Sequence, residues 1–445
     1  MVSKNNDRFV LGHEMWQRAI KSIPGGNGLL SKRPDRYAPD IWPTYFSSAS
    51  GVNVIDIDGN SFIDMAQMAI GSSILGYANK ELDESVIEAI QGGVNCTLNC
   101  PEEVLLAEKL IELNPFASGV RFAKTGAEAM TQAVRIARAS TGREKIIFSG
   151  YHGWADWYLA ANLRSGDGLA QHLIPGLSTK GVPSGLKDTA IPFTYNDSGS
   201  LEKVLLENPD AAAICIEGAR YDLPSASFLK SVSDLAKKNN MLIISDEITS
   251  GFRMTDGGVY KLNGFQPDIV VYAKALGGGY PISAVLGTAE VMYAAQETFM
   301  SSTMWTERVG FTAALATLKI LTRDKVWEHL MLIGHSIGEG WIKLAKKHKL
   351  QISITDFKPL ITIKFQYGDQ NQMLATLFIQ EMLRRGYIAS TSVYVSAAHS
   401  EKIINQYLLA VDECFYILAQ AIDRNDISSF LDTRVRSDSF SRITP

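Results

Sequence analysis

The segments MLIISDEITSGFRM (residues 241–254) and DIVVYAKALGGGYP (residues 268–281) decide the fold of this 445-residue chain. Each contains a short apolar run, and the two runs lead to Asp246 and to Lys274. Such runs, bounded by polar and glycine-rich turns, are typical of buried strands in a parallel sheet. Parallel strands end at one edge of their sheet, where α/β proteins bind ligands. The sequence therefore predicts that Asp246 and Lys274 lie at the same sheet edge.

The chemistry of this pair leaves two interpretations open. Burial of an ammonium group costs free energy, and it lowers the pKa of a lysine toward that of an amine nucleophile. A cofactor with an aldehyde and a pyridine nitrogen would use both residues: Lys274 would form a Schiff base, and Asp246 would keep the ring nitrogen protonated. A structural Lys–Asp ion pair at the sheet edge explains the two residues equally well.

Composition restricts the class of protein. The chain is 46% hydrophobic and 20% charged with a net charge of −4, so we expect a globular protein of two or three domains without a nucleic-acid partner. The sequence contains neither an apolar run long enough for a membrane span nor a signal peptide at residues 1–10, so we expect no membrane association and a cytoplasmic location. Cys96 and Cys100 lack a second Cys/His pair, and we expect free thiols and no metal.

A candidate anion site lies near the middle of the chain. Residues 120–123 predict a strand, and residues 127–139 predict a helix with one apolar face. The backbone N–H groups of Gly126 and Ala127 and the Thr125 hydroxyl would lie at the helix N-terminus, which attracts phosphate. Thr125 fits the role of an ordinary N-cap residue equally well.

Further predicted strands complete a set of βαβ units. Residues 145–148 form one that leads to Tyr151, which would stack on a flat ring or simply pack in its loop. Residues 211–216 form another that ends at Glu217, and the helix at 228–237 crosses from it to the Asp246 strand. Repeated units of this kind imply a mostly parallel sheet. The Gly-, Pro-, Ser- and Asp-rich residues 164–200 predict a long surface loop.

The two ends of the chain have a different character. Residues 51–65 predict a hairpin around Asp58-Gly59, and the segments at 352–357, 360–367 and 387–391 alternate like antiparallel strands. The polar tail that begins at residue 428 is expected to fray. We expect an N-terminal arm and part of a small domain at 1–60, a large cofactor-binding domain at 61–324, and a small domain at 325–445.

Several motifs together resemble the class III (subgroup II) pyridoxal-phosphate-dependent aminotransferases, especially their glutamate-1-semialdehyde 2,1-aminomutase branch. The matching segments are PGG (24–26), DIDGNSFIDM (56–65), VRFAKTGAEAMTQAVRIARASTGREKII (120–147), YHGWADW (151–157), SDEITSGFR (245–253) and AKALGGGYP (273–281). The resemblance implies a fold-type I α/β enzyme. Its large domain would carry a mostly parallel seven-stranded sheet between helices, and its small α+β domain would come from both chain ends.

The resemblance also implies a role for each candidate residue. Lys274 matches the Schiff-base lysine and Asp246 the partner of the pyridine nitrogen; both are the expected catalytic residues. The expected cofactor-binding residues also include Ile248 beneath the ring, Tyr151 above it, Glu217 near a cofactor oxygen, the phosphate-binding Thr125, Gly126 and Ala127, and Thr303, which would reach the phosphate of a neighbouring subunit. A homodimer with shared active sites follows from that last role.

Departures from the mutase pattern bear on the substrate. Leu29 stands where the mutases have serine, the substrate-binding arginine falls near Lys32 or Arg33, and Thr391 replaces an active-site glutamate. Changed polar partners alter specificity. We therefore expect a transaminase that moves an amino group from a small-molecule donor to an aldehyde or ketone, such as a biosynthetic sugar. The alternatives are an intramolecular 2,1-aminomutase and a non-catalytic protein that binds the cofactor or a nucleotide.

Overall fold

A computed structural model describes residues 6–172 and 174–440 of the chain. The chain forms two compact units: the large unit, Lys80–Glu328, and the terminal unit, which combines Met1–Asn79 with His329–Pro445. The domain limits expected from the sequence, at 60/61 and 324/325, stay predictions.

The strands of the described residues, in chain order, are β1 (Phe46–Ser50), β2 (Asn53–Asp56), β3 (Ser61–Met65), β4 (Gly119–Ala123), β5 (Ile146–Ser149), β6 (Ala190–Pro192), β7 (Ala213–Glu217), β8 (Leu242–Asp246), β9 (Ile269–Tyr272), β10 (Ser283–Gly287), β11 (Ile352–Ile354), β12 (Leu360–Phe365), β13 (Tyr387–Ala389) and β14 (Ser392–Tyr394).

The α-helices of the same residues are α1 (Val10–Ser22), α2 (Lys80–Gln91), α3 (Pro101–Leu113), α4 (Gly126–Thr141), α5 (Asp156–Leu159), α6 (Asn162–Ser165), α7 (Ser198–Glu207), α8 (Ala226–Lys238), α9 (Ala289–Glu297), α10 (Arg308–Asp324), α11 (Val326–His348), α12 (Asn371–Arg384) and α13 (Glu401–Asp423). None of the helices in the described ranges is both long and apolar enough to cross a membrane.

The large unit is built on a seven-stranded sheet in the order β4-β10-β9-β8-β7-β5-β6. Strand β10 runs antiparallel to both of its neighbours, and the strands from β9 to β6 are parallel. Strands β5, β7 and β9 are buried along their whole length, which explains their continuous apolar sequences. Helices α4 and α8 pack against the sheet. The predicted mostly parallel seven-stranded sheet is confirmed.

The register of this sheet aligns the strand ends. Glu217 pairs with Asp246, and Asp246 pairs with Val271 on β9. Ser149 pairs with Ile216 on β7. Because these strands are parallel, Ser149, Glu217 and Asp246 end at one edge, and Lys274 follows β9 at that same edge.

The long surface loop predicted at residues 164–200 was wrong in part. Strand β6 lies within it and pairs in parallel with β5 at the end of the sheet, and α7 begins at Ser198. The strand has only three residues and ends in Pro192, which is tolerated there because an edge strand needs no donor on its outer side. A segment this short gives no alternating pattern.

The terminal unit contains a four-stranded sheet, β1-β2-β3-β13, and a three-stranded sheet, β11-β12-β14. Strands β2 and β3 form the predicted antiparallel hairpin. Strands β11 and β12 are antiparallel as predicted, but β13 pairs with β3 in parallel, so the antiparallel prediction for residues 387–391 was wrong. Apolar alternation reports which face of a strand is buried, and it does not report the strand's direction.

The tail from residue 428 is held in place as far as Ser437, so the predicted fraying was wrong there; residues 441–445 of the tail lie outside the described residues. The Arg434 guanidinium forms a two-pronged ion pair with Asp40 at 2.8 and 3.0 Å, and the Ser437 N–H donates to the Asp35 carbonyl at 2.7 Å. The polar sequence of the tail therefore does not indicate these contacts, because their partners, Asp40 and Asp35, lie far away in the sequence and come close only in the folded terminal unit.

Candidate active site

Lys274 begins a short 3-10 helix directly after β9 and adopts a left-handed backbone conformation with φ of 44°. Such a conformation costs a non-glycine residue about 1–3 kcal/mol and is typical of functional sites. The half-buried side chain donates a hydrogen bond from Nζ to Oγ1 of the buried Thr249 at 2.8 Å. Lys274 and Asp246 form no salt bridge, so the simple ion-pair interpretation does not describe this site.

The electrostatic surroundings of Lys274 favour a neutral amine. Burial lowers the pKa of Lys274 to about 7, and the positive charges of Arg220 and Arg253 act in the same direction. Glu217 and Asp246 act in the opposite direction. An amine with this pKa is largely unprotonated just above pH 7, which is the form that attacks a carbonyl carbon.

Asp246 ends β8 and is buried between two donors. Its Oδ1 accepts the Ile248 N–H at 3.0 Å, and its Oδ2 lies 2.8 Å from Nδ1 of the buried His152. The other ring nitrogen of His152, Nε2, lies 3.2 Å from the Ser149 carbonyl. Both ring nitrogens therefore face acceptors, an arrangement that suits a doubly protonated imidazole.

The pKa of His152 agrees with that geometry. Burial lowers it, but interactions with Cys215 and Asp246 outweigh burial and raise it well above its ordinary value. The imidazolium places a positive charge beside the Asp246 carboxylate, so the acid is not an isolated buried charge.

Tyr151 lies next to the salt bridge between Glu217 and Arg220. Its backbone N–H donates to Glu217 Oε2 at 3.1 Å, and Glu217 Oε1 accepts from Arg220 Nε at 2.9 Å. The Arg220 guanidinium carbon lies 4.9 Å from the centroid of the Tyr151 ring. Gly150 is required here because a Cβ at that position would come within 2.5 Å of Glu217 Cβ. Tyr151, Glu217 and Arg220 thus form one packed cluster.

The N-terminus of α4 presents backbone donors at the same site. Thr125 is the N-cap, and its side chain forms a reciprocal capping box with Glu128. The N–H groups of Gly126 and Ala127 have no acceptor in the described part of the chain. A Cβ at Gly126 would lie 2.9 Å from Ile248 Cδ1, and a Cβ at Gly153 would lie 2.9 Å from Ala127 Cβ. The helix terminus is therefore packed against the loops that carry Asp246 and Tyr151.

These residues fit pyridoxal phosphate. The unpartnered donors at the α4 terminus match a phosphate group, the Asp246 carboxylate matches a pyridine nitrogen, and the Lys274 amine matches an aldehyde. The Thr125 hydroxyl is engaged with Glu128, so the N-cap interpretation of Thr125 is realised and the backbone groups are the better phosphate donors.

Thr303, unlike the other predicted site residues, does not lie at this site. It is exposed at the start of a 3-10 helix, Thr303–Thr306. Its segment is nevertheless anchored beside the α4 terminus, because Trp305 Nε1 donates to Glu128 Oε1 at 3.4 Å and Lys124 pairs with Glu307.

The sequence of residues 37–396 matches the family model described as aminotransferase class-III. The chain belongs to this family. A 3-aminobutyryl-CoA aminotransferase from Cloacimonas acidaminovorans (strain Evry) is 32% identical over 417 residues, which cover 89% of this chain and 96% of that protein. The predicted family, fold class, cofactor and reaction class are confirmed: the chain is a pyridoxal-phosphate-dependent class III transaminase with small-molecule substrates.

Other relatives span both reaction types of the family. A 2'-deamino-2'-hydroxyneamine transaminase from Streptomyces kanamyceticus is 28% identical, covering 89% of this chain and 98% of that protein. A glutamate-1-semialdehyde 2,1-aminomutase from Desulforamulus reducens (strain ATCC BAA-1160 / DSM 100696 / MI-1) is 31% identical, covering 92% and 98%. The solved FumI protein of Sphingopyxis sp. MTA144 superposes with a TM-score of 0.84 at 25% identity, covering 93% of this chain and 97% of that one.

Gly218 directly follows Glu217 in this class III transaminase and fixes the segment after β7. The Gly218 N–H donates to the Asp246 carbonyl at 2.8 Å, a hydrogen bond that proline cannot make. A Cβ at this position would also lie 2.6 Å from a carboxylate oxygen of Glu247. Glycine therefore ties the Glu217 segment to the Asp246 strand.

The sequence did not predict that Thr249 and Arg220 lie at this site or that His152 contacts Asp246. Thr249 lies three residues after Asp246 and Arg220 three residues after Glu217. That spacing is the only signal in the sequence, because which side chains converge depends on the turns that follow β7 and β8.

The pKa of Lys274 generates a prediction for the cofactor-free transaminase. The labelling rate of Lys274 by trinitrobenzenesulfonate should rise with a midpoint near pH 7, since only the unprotonated amine reacts and its pKa is about 7. Peptide mass spectrometry measures the rate at each pH, with the exposed Lys80 followed in the same samples. A Lys274 rate that still climbs above about pH 9, as expected for a solvated lysine, would contradict this electrostatic description.

Proposed function

We propose that Lys274 is the lysine that bonds to the cofactor and that it moves the proton in each half of the transamination. The observation that carries the proposal is the geometry around its amine. Nζ is held at 2.8 Å by Thr249, and its pKa is lowered to about 7, mainly by burial. Such an amine takes up and releases a proton readily near pH 7, so it can act as general base and then as general acid.

Each of the other residues has a distinct holding role in this proposal. The Gly126 and Ala127 N–H groups bind the phosphate, Ile248 and Tyr151 hold the two ring faces, and Asp246 binds the ring nitrogen. When bound, pyridoxal phosphate supplies an aldehyde that condenses with amines and a pyridine ring that accepts electron density from the substrate α-carbon.

Asp246 keeps the electron-accepting ring protonated because its carboxylate is fixed by two neighbouring groups. The Ile248 N–H holds one oxygen, and the buried His152 holds the other. The pair stays rigid because both side chains are buried, so no reorganisation is needed as charge develops.

Asp246→Asn tests this role. The variant should retain bound cofactor but lose about 100-fold or more of its activity, because a neutral amide cannot stabilise the protonated ring nitrogen. The rate of a half-reaction with L-alanine or L-glutamate is measured from the cofactor spectrum. Asp234→Asn, on the exposed face of α8, serves as the matched control. Full activity in the Asp246 variant would exclude the proposed role.

The acceptor is proposed to be a small aldehyde or ketone such as a biosynthetic sugar. The similarity to a 2'-deamino-2'-hydroxyneamine transaminase supports an acceptor of this kind. The 31% identity to a 2,1-aminomutase keeps intramolecular transfer as the second candidate. The two reactions differ in one product: only a transaminase releases a free 2-oxo acid from L-glutamate or L-alanine.

A homodimer is the proposed assembly. Leu98, Phe299 and Met304 of the large unit are 79%, 86% and 56% exposed, and a second subunit that covered these apolar side chains would remove them from water. Phe299 and Met304 flank Thr303, whose exposed side chain is free to reach a second subunit. We propose that Thr303 binds the partner's cofactor phosphate.

The four free cysteines support a reducing, cytoplasmic compartment.

The proposed role of Thr303 predicts that its loss changes the affinity for the cofactor without dissociating the dimer. Thr303→Ala should raise the Kd for pyridoxal phosphate about tenfold, the effect of losing one hydrogen bond to a charged group, and should leave the dimer intact. Thr303→Ser, which keeps the hydroxyl, is the matched control. Fluorescence titration and sedimentation velocity provide the measurements. A monomeric wild-type protein, or an unchanged Kd in Thr303→Ala, would rule out the shared site.

A further inference from the structure

The turn after β8 that carries Thr249 is tightly packed. The Thr249 carbonyl accepts a hydrogen bond from Arg253 Nε at 2.8 Å, and both residues are buried. The Gly251 N–H donates to the Glu247 carbonyl at 2.8 Å, which closes the turn. A Cβ at Gly251 would lie 2.7 Å from that same carbonyl oxygen and 2.7 Å from Tyr272 Cδ1. Thr249 is therefore held in one position by its neighbours.

The carboxylate of Glu247 anchors this turn from inside. It is buried, and its two oxygens accept hydrogen bonds from two hydroxyls and two backbone N–H groups. The donors are Ser245 Oγ, Ser250 Oγ, the Val259 N–H and the Tyr260 N–H, at 3.1, 2.5, 3.0 and 3.3 Å. A buried carboxylate with four donors is satisfied and fixes the segments that supply them. The hydroxyl of Ser250, which follows Thr249 in the chain, is thereby committed to Glu247.

The Thr249 side chain is the contact between this fixed turn and the reacting amine. Lys274 Nζ donates to Thr249 Oγ1 at 2.8 Å. Lysine carries its amine on a flexible four-carbon stem, so an amine without a partner samples several orientations. A neutral amine that donates one N–H to a fixed oxygen keeps its lone pair free and within a narrow range of directions. Reacting groups held in this way react faster than mobile ones.

A hydroxyl suits this position better than a charged group does. A carboxylate at the same distance would favour the ammonium form of Lys274, which has no lone pair. The hydroxyl oxygen carries no net charge, so it orients the amine and still allows the amine to lose its proton.

We propose that Thr249 is a positioning residue for the proton transfer of the transaminase reaction: its hydroxyl accepts one N–H of the free Lys274 amine and fixes the direction of the lone pair that takes up the proton. The proposal rests on the proposed role of Lys274 in proton transfer and adds the residue that orients it. Thr249 acts through Lys274 and itself exchanges no proton with the substrate.

Loss of this hydroxyl should change the pKa of Lys274 in a defined direction. The charged groups around the amine are Arg220 and Arg253, which lower its pKa, and Glu217 and Asp246, which raise it. Removal of the hydroxyl leaves these four groups in place. An oxygen acceptor stabilises an ammonium more than a neutral amine, so its loss should lower the pKa further. A disturbed turn that admits water should instead raise the pKa, because burial is the main cause of the low value.

The first test follows the labelling of Lys274 by trinitrobenzenesulfonate against pH in the cofactor-free, full-length protein, with peptide mass spectrometry as the readout. Thr249→Val, which replaces the hydroxyl by a methyl group of similar size, should move the midpoint about half a pH unit or more below the wild-type value. Thr249→Cys, with a weak acceptor, should shift it in the same direction by less. Thr249→Ser, which keeps the hydroxyl, should retain the wild-type midpoint.

The second test measures the half-reaction of each holoenzyme with an amino donor, L-alanine or L-glutamate, from the cofactor spectrum. Thr249→Val should be about tenfold slower, the effect of losing one hydrogen bond that positions a reacting group, and Thr249→Ser should stay within about twofold of wild type. Thr141→Val is the matched control, because it removes a hydroxyl that donates to the Ala137 carbonyl within α4, and it should react at the wild-type rate.

Three results would overturn the proposal: a midpoint in Thr249→Val that is unchanged or moves to higher pH, a half-reaction in that variant as fast as in wild type, or equal slowing in Thr249→Val and Thr249→Ser. If Thr249→Val does not fold, Thr249→Cys decides by the same criteria. Failure of the proposed role of Lys274 has a different signature, because the wild-type holoenzyme would then show no half-reaction with any amino donor. The labelling midpoints decide even in that case whether Thr249 holds the amine.

Discussion

The active site depends on the parallel register of β7, β8 and β9, which brings three strand ends to one edge of the sheet. That register places Glu217 beside Asp246 and Asp246 beside Val271, three residues before Lys274. The two carboxylates are thus positioned by backbone hydrogen bonds of a buried sheet, and only Ala273 separates Lys274 from the end of β9. A rigid frame of this kind holds reacting groups more accurately than a long loop does.

The same edge concentrates charges that would be unfavourable alone. His152 neutralises Asp246, Arg220 neutralises Glu217, and Lys274 avoids the cost of a buried ammonium through its lowered pKa. The site therefore contains two complete ion pairs and one amine that is able to lose its proton. Lys274 is therefore the group with a chemical role, because an amine held in a salt bridge would be a poor nucleophile.

The sequence was sufficient to predict the structure where one local pattern determined it. Asp246 and Lys274 each follow a buried apolar run, so the sheet and its functional edge were predictable from strand periodicity, and the combined motifs identified the family. Residues beyond a single pattern were not predictable. Strand β6 is too short to show an alternating pattern of apolar and polar residues. The direction of β13 depends on its partner β3, which lies more than 300 residues away in the sequence. The ion pair between Arg434 and Asp40 forms only in the folded chain. Thr249 and Arg220 enter the site through turns whose shape is set by tertiary packing, including the close approach of Glu247 to Gly218.

Chemical identification of the side chain that bears the cofactor tests the role of Lys274. Purified holoprotein is reduced with sodium borohydride and digested, and its peptides are mapped by mass spectrometry. We expect a stable phosphopyridoxyl adduct on the peptide that contains Lys274 and on no other lysine. An adduct on a different lysine, or none on Lys274, would contradict the assignment on which the roles of Asp246 and Thr249 depend.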